Sequence, residues 1–132
     1  MELSEFDKIE NQISRVVCDI CVRIHRDLGP GLFESVYEEI LFNELKEWGF
    51  RLERQRKIPI KYKNFDFEKA FKADIIVADV VILEIKSVET ISNLHKMQLK
   101  TYLKLTGMKL GLMLNFNVDL MKNGISRVVN GL

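Results

Sequence analysis

The sequence predicts an α/β fold with a mixed sheet, and three observations carry that reading. Apolar residues recur at helical spacing as far as Trp48, then at a spacing of two from Phe50. Three strand-like runs follow one another through short turn signals, which suits antiparallel neighbours. A fourth strand arrives only after another helical stretch, and such a crossover returns it parallel to a neighbour with a right-handed connection. The expected order is α-α-β-β-β-α-β.

Each element has a local cause. Ser4 is the expected N-cap of a first helix running to about Arg26, stopped by Leu28-Gly29-Pro30-Gly31. A second helix, about Leu32 to Trp48, presents Phe33, Val36, Tyr37, Ile40, Leu41, Leu45 and Trp48 as its apolar face, with Gly49 at C′. Arg56 to Lys63 alternates as a strand, and its Pro59, which cannot donate to a ladder, belongs at an edge or a bulge. Lys63-Asn64 is the expected turn into a second strand, Phe67 to Val77. Ala78-Asp79 connects to Val80 to Val88, whose nearly continuous aliphatic content marks the central strand, covered on both faces. A third helix spans about Ile91 to Leu105 and stops at Gly107, and Lys109 to Asn115 forms the fourth strand. Gly124 to Val129 is expected to add a last short strand or to pack on the sheet edge.

Length and composition narrow the functional classes. At 132 residues and 47% hydrophobic, the chain can close one continuous core without disulfides or structural metal. No repeat, low-complexity tract or linker divides it, so a single domain over residues 1–132 is expected. No apolar run approaches the ~20 residues of a membrane span, and the acidic opening is unlike a signal peptide, so a cytoplasmic, membrane-free protein is expected. A net charge of +1 argues against a non-specific coat for DNA, though not against a small basic cleft. Cys18 and Cys21 form C-x-x-C inside a helical pattern, with His25 one turn on. Only His95 is left to complete a tetrahedral site, so buried thiols acting as small hydrophobes are the expected reading, with a metal or redox role as the alternative.

The informative residues break the burial pattern, because a buried charge must be paired or bound to a metal. Glu84 and Lys86 share one face of the central strand while Leu83 and Ile85 face the other way. The turn at Ala78-Asp79 folds the preceding strand back so that Asp74 can approach Glu84. On helical wheels Glu34 falls between Leu41 and Leu45, and Gln98 among Ile91, Leu94, Tyr102 and Leu105, so both are expected on the core side. If Asp74, Glu84 and Glu34 converge, their repulsion demands protonation or a cation, since like charges ~4 Å apart cost about 4 kcal/mol at an effective dielectric near 20. Oxygen ligands with residual negative charge suit Mg²⁺ or Mn²⁺, and a hard cation beside a lysine is a constellation for phosphodiester hydrolysis. Each feature alone has a plainer reading. Glu84 with Lys86 could be a surface pair, Glu34 an acid at a helix N-terminus, and Gln98 a core amide; Glu44 also intrudes on an apolar arc.

The run His25-Arg26-Asp27-Leu28-Gly29-Pro30-Gly31-Leu32-Phe33-Glu34-Ser35-Val36-Tyr37 contains G-x-x-E-x-x-Y and resembles the GxxExxY family, a branch of the PD-(D/E)XK nuclease-like superfamily. The similarity continues through Asp74, Leu83 to Ser87, His95 to Gln98, Tyr102 to Leu105 and Gly111 to Phe116, nearly the whole chain. It implies a restriction-endonuclease-like core. It also implies Asp74 as the motif acid, Glu84 and Lys86 as the E-x-K pair, and Glu34 as an additional helical acid. Gln98 and Tyr102 are similar to the Q-x-x-x-Y motif of RecB-like nucleases. Ala73 stands where the superfamily's name has Pro.

The resemblance thus implies a Mg²⁺-dependent nuclease, with Mn²⁺ as substitute and DNA favoured as substrate. Asp74, Glu84 and the Ile85 carbonyl would be metal ligands, Lys86 would orient water, Gln98 would hold the pocket, and Tyr102, Lys96 and His95 would contact substrate. Two other readings stay open: a catalytically silent nucleic-acid-binding or accessory module of a repair or defence complex, and an internal network of acids around Lys86 with a structural role. A chain this small offers little surface for gripping a duplex, so a homodimer or partner protein is a further expectation.

Overall fold

The computed structural model describes residues 8–132, with the side chains of residues 69 and 70 left aside. The expected N-cap at Ser4 lies outside the described residues. Helix α1 (Ile9–Leu28) and helix α2 (Glu34–Glu47) precede a long hairpin of β1 (Leu52–Tyr62) and β2 (Phe65–Val77), followed by β3 (Val81–Lys86). Helix α3 (Asn93–Thr106) then crosses to β4 (Leu110–Asn115), and a 3-10 turn at Met121–Asn123 leads to β5 (Ile125–Val129). The five strands lie in the order β1-β2-β3-β4-β5, with β3 parallel to β4 and every other pair antiparallel. The fold class, the central position of β3 and the parallel return after α3 follow the sequence expectation, and the tail forms a paired edge strand.

Pleat alternation distributes the core over both faces of the sheet. Val81, Leu83 and Ile85 of β3 join Leu110, Leu112 and Leu114 of β4 against α1 and α2. Ile82 and Met113 face the other way, against Leu99 and Leu103 of α3. Helix α3 approaches β4 so closely that a Cβ on Gly111 would stand 2.8 Å from the Leu99 side chain. Glu84 and Lys86 follow Ile82 along the α3 face.

Pro59 satisfies both conditions predicted for it, since β1 is an edge strand and the β1–β2 register shifts between Ile58 and Ile60. Ala78 and Asp79 both take positive φ in the turn between β2 and β3, the conformation that matches strand twist in a tight hairpin.

Two helix faces differ from the wheel assignment. In α2 the buried side chains are Tyr37, Glu38, Leu41 and Leu45, while Phe33 and Trp48 lie on the surface. Phe33 only precedes the helix, and Trp48 ends it beside the turn at Gly49, where it stacks on Phe50 instead of entering the core. In α3, Leu99 and Leu103 are buried and Tyr102 half-buried, which turns Leu94, Gln98 and Leu105 outward. Cys21 is buried and Cys18 half-buried on α1, each with its thiol pKa pushed up by burial. Among the described residues no helix is long and apolar enough to cross a membrane.

Candidate active site

The site forms where β2 and β3 part. Their pairing is confined to Ile75–Leu83, Ile76–Ile82 and Val77–Val81, so β3 continues beyond the last paired position without β2 beside it. The Asp74 carboxylate occupies the start of that split and accepts the Ile85 backbone N–H at 2.9 Å. Glu34 does the same further along, accepting the Ser87 N–H at 3.2 Å. Two residues of strand separate those amides, roughly 7 Å. Two acids from different elements thus cap alternate amides on one strand edge.

Glu84 is strongly perturbed. It is 7% exposed, and its Oε1 is buried without a hydrogen-bond partner. Burial pushes its pKa up to about 9, the neighbouring Asp74 carboxylate adds to the rise, and Lys86 only partly offsets this. Lys86 itself is half-buried on the same strand face. Asp74 and Glu84, placed together by the tight turn at Ala78-Asp79, therefore form a carboxylate pair with one orphaned, desolvated oxygen.

That donor set fits a divalent cation. A hard cation would satisfy Oε1 and replace the proton that burial otherwise enforces. Among the described residues no three His, Cys, Asp or Glu side chains form a complete cage, so the protein's own side-chain donors at this point number two, Asp74 and Glu84. This corrects the expected convergence of three acids. Glu34 is exposed, not on the core side, because it begins α2 and reaches sideways to Ser87. Gln98 is also exposed, since the α3 core positions fall on Leu99 and Leu103.

The remaining sequence candidates divide clearly. Tyr102 stacks on Phe71 with 3.5 Å between ring centroids, and its pKa is raised by burial, then by the charges of Glu84 and Asp74. It therefore lies within electrostatic reach of both carboxyls. His95 closes a capping box: the Ser92 N–H donates to its Nδ1 at 3.2 Å, while its own N–H donates to the Ser92 hydroxyl. Lys96 is exposed on the same turn.

Sequence reading missed a second tier behind Asp74. Glu38 is 7% exposed; it accepts Arg54 Nε at 2.6 Å on one oxygen and Gln55 Nε2 at 2.9 Å on the other. Gln55 Nε2 also donates to Asp74 at 3.2 Å, tying the buried pair to the pocket. Consecutive strand residues ordinarily point to opposite faces, so Arg54 and Gln55 could not share one carboxylate in a regular strand. Gln55 has φ 52, which breaks the alternation at this point. The position of Glu38 at i+4 from Glu34 and i−3 from Leu41 was a readable sign of its facing; nothing in the sequence marks the backbone of Gln55.

The G-x-x-E-x-x-Y run gains a physical account. Tyr37 is fully buried, stacked on Phe116 at 4.3 Å, and its hydroxyl donates to the Gly29 carbonyl at 2.6 Å while accepting the Leu32 N–H at 3.2 Å. Gly31 sits between them at φ 99, a conformation that side chains resist. Ser87 Oγ donates to the Leu32 carbonyl at 2.8 Å. The motif therefore fastens the loop before α2 to the open end of β3 and holds Glu34 there.

The second and third strands of the mixed sheet part beside Asp74, Glu84 and Lys86. The family model of the PD-(D/E)XK nuclease superfamily matches residues 11–128, and the chain belongs to that superfamily. Comparison with curated proteins and with solved structures gave no match.

Proposed function

We propose that the protein is a divalent-metal-dependent nuclease, Mg²⁺ being the expected cofactor and Mn²⁺ a substitute, that hydrolyses phosphodiester bonds in nucleic acid, with DNA the favoured substrate. The observation that carries this reading is the buried, unpartnered Oε1 of Glu84 beside the Asp74 carboxylate. Asp74 and Glu84 would hold the cation, together with the Ile85 carbonyl, which strand geometry turns to the same open edge as the Ile85 amide. When bound, such a cation supplies positive charge to the scissile phosphate and makes water more acidic.

This chain's own groups do the rest. The Ile85 N–H fixes Asp74, and Gln55 holds its other oxygen. Lys86, on the same face as Glu84, orients the attacking water and offsets negative charge that builds on the phosphate. Tyr102, Lys96 and His95 lie on the helix facing this side, where they can meet substrate, and Gln98 projects outward on the same helix. Glu34 braces the strand end and stands available as a further acid. The narrower GxxExxY placement rests on Gly31, Glu34 and Tyr37.

Cleavage of single-stranded, double-stranded and branched DNA and of RNA, assayed with Mg²⁺ and with Mn²⁺, tests the reading. Lys86→Ala and Asp74→Asn should each lower the rate by about 10²-fold or more, the scale of losing one transition-state contact. Full activity in both variants would remove the mechanism. Binding without cleavage by the unaltered protein would favour the accessory-module alternative.

A further inference from the structure

The hairpin of β1 and β2 outruns the sheet. β2 pairs with β3 only from Ile75 onward, so the residues from Arg56 to Lys72 form a two-stranded arm rooted at Asp74. Residues 56–72 hold six lysines and arginines against two acids, an excess of four in a chain whose total is +1; the rest is net acidic by three. Arg56 pairs with Glu53 and Asp79, whereas Lys57, Lys61, Lys63 and Lys72 are exposed.

One face of the arm is aromatic. Cross-strand partners share a face, and the pairs Tyr62–Phe65, Ile60–Phe67 and Ile58–Phe71 succeed one another on it. Tyr62, Phe65 and Phe67 are 62%, 64% and 54% exposed. At the root Phe71 stacks on Tyr102, which lies within electrostatic reach of the Asp74 and Glu84 carboxyls. The exposed rings thus lie towards the hairpin tip, separated from the Phe71–Tyr102 stack at the root by the register shift between Ile58 and Ile60.

We propose that this arm is a track for a single-stranded stretch of nucleic acid leading to the Asp74–Glu84 pocket, its rings stacking on unpaired bases while the long lysine side chains of the opposite face, where Lys57 pairs with Lys72 and Lys61 with Asp66, reach round the ribbon's edges to phosphates. The assignment of the pocket's end of the track rests on the nuclease reading above. Base stacking on aromatic side chains needs no sequence preference and is closed to paired bases, while clustered lysines follow a polyanion. A second copy of the chain suits this face less well, because two arms each carrying an excess of four positive charges would repel.

Fluorescence anisotropy with labelled oligothymidylate and with a blunt duplex, in EDTA so that nothing is cut, provides the test. The triple variant Tyr62→Ser, Phe65→Ser, Phe67→Ser should bind the single strand at least tenfold more weakly. The pair Lys61→Ala, Lys63→Ala should flatten the slope of log affinity against log salt by about 1.4, two phosphate contacts at ~0.7 each. The unaltered protein should favour the single strand over the duplex. Parent-like binding and salt slope in both variants would overturn the track, as would a parent dimer that the triple variant dissolves while nucleic-acid binding stays intact. The two readings separate cleanly: a protein that never cleaves but binds through the arm sinks the nuclease and keeps the track, and cleavage with an indifferent arm does the reverse.

Discussion

Gln55 shows how a single backbone angle can serve a pocket. Its positive φ costs of order 1–3 kcal/mol for a residue that is not glycine, and in return one amide bridges Glu38 to Asp74. Shortening the side chain should free Asp74, so Gln55→Ala should weaken Mn²⁺ binding by about 10-fold or more, the scale for groups that orient a metal ligand. Calorimetric titration reads this directly, and unchanged affinity would deny Gln55 that role. Glu84 makes a pH prediction. Its folded pKa of about 9 lies above its unfolded value near 4.5, so across that window the native state keeps a proton that the unfolded chain has lost. The contribution to stability is full below about pH 4.5 and is lost as pH rises through about 9. Melting curves in EDTA should show this decline, Glu84→Gln should remove it, and Mn²⁺ affinity should climb over the same range as the competing proton leaves; a flat profile in the unaltered protein contradicts the assignment. Asp74, Glu84 and Lys86 were legible in the sequence because strand parity and one tight turn locate them. Glu34 and Gln98 were misplaced because a helical wheel gives a face without saying where the core lies, and Gln55 was unreadable because its role depends on a φ value that no glycine announces.

At the scale of elements, the site depends on where strands stop pairing. Pro59 and the turn at Ala78-Asp79 were visible as punctuation, and both sit where their chemistry places them. The split between β2 and β3 was not visible, since a strand that loses its neighbour keeps the same apolar pattern. Helix α3 is held against β4 by the absence of a side chain at Gly111. Gly111→Ala should therefore force Leu99 aside and cost about 1–3 kcal/mol in a urea titration, with loss of Mn²⁺ affinity as α3 and Tyr102 shift relative to the two carboxyls. A variant as stable as the parent would show that Leu99 repacks freely. The loop before α2 is fixed by Tyr37 rather than by its own composition.

For the whole molecule, near-neutral charge conceals an uneven distribution. A basic, aromatic arm projects beside a pocket whose two carboxyls cannot both stay ionised without a counter-charge. Superfamily membership sets the chemistry that such a pocket is expected to perform, and the arm gives a reason why a small chain could hold its substrate. The chemistry depends on a cation lodging between β2 and β3. Anomalous diffraction from crystals soaked in Mn²⁺ measures that most directly. The account predicts a peak within coordination distance of Asp74, Glu84 and the Ile85 carbonyl, lost in Asp74→Asn. Saturating Mn²⁺ with no peak there, or one elsewhere that ignores the substitution, would contradict it.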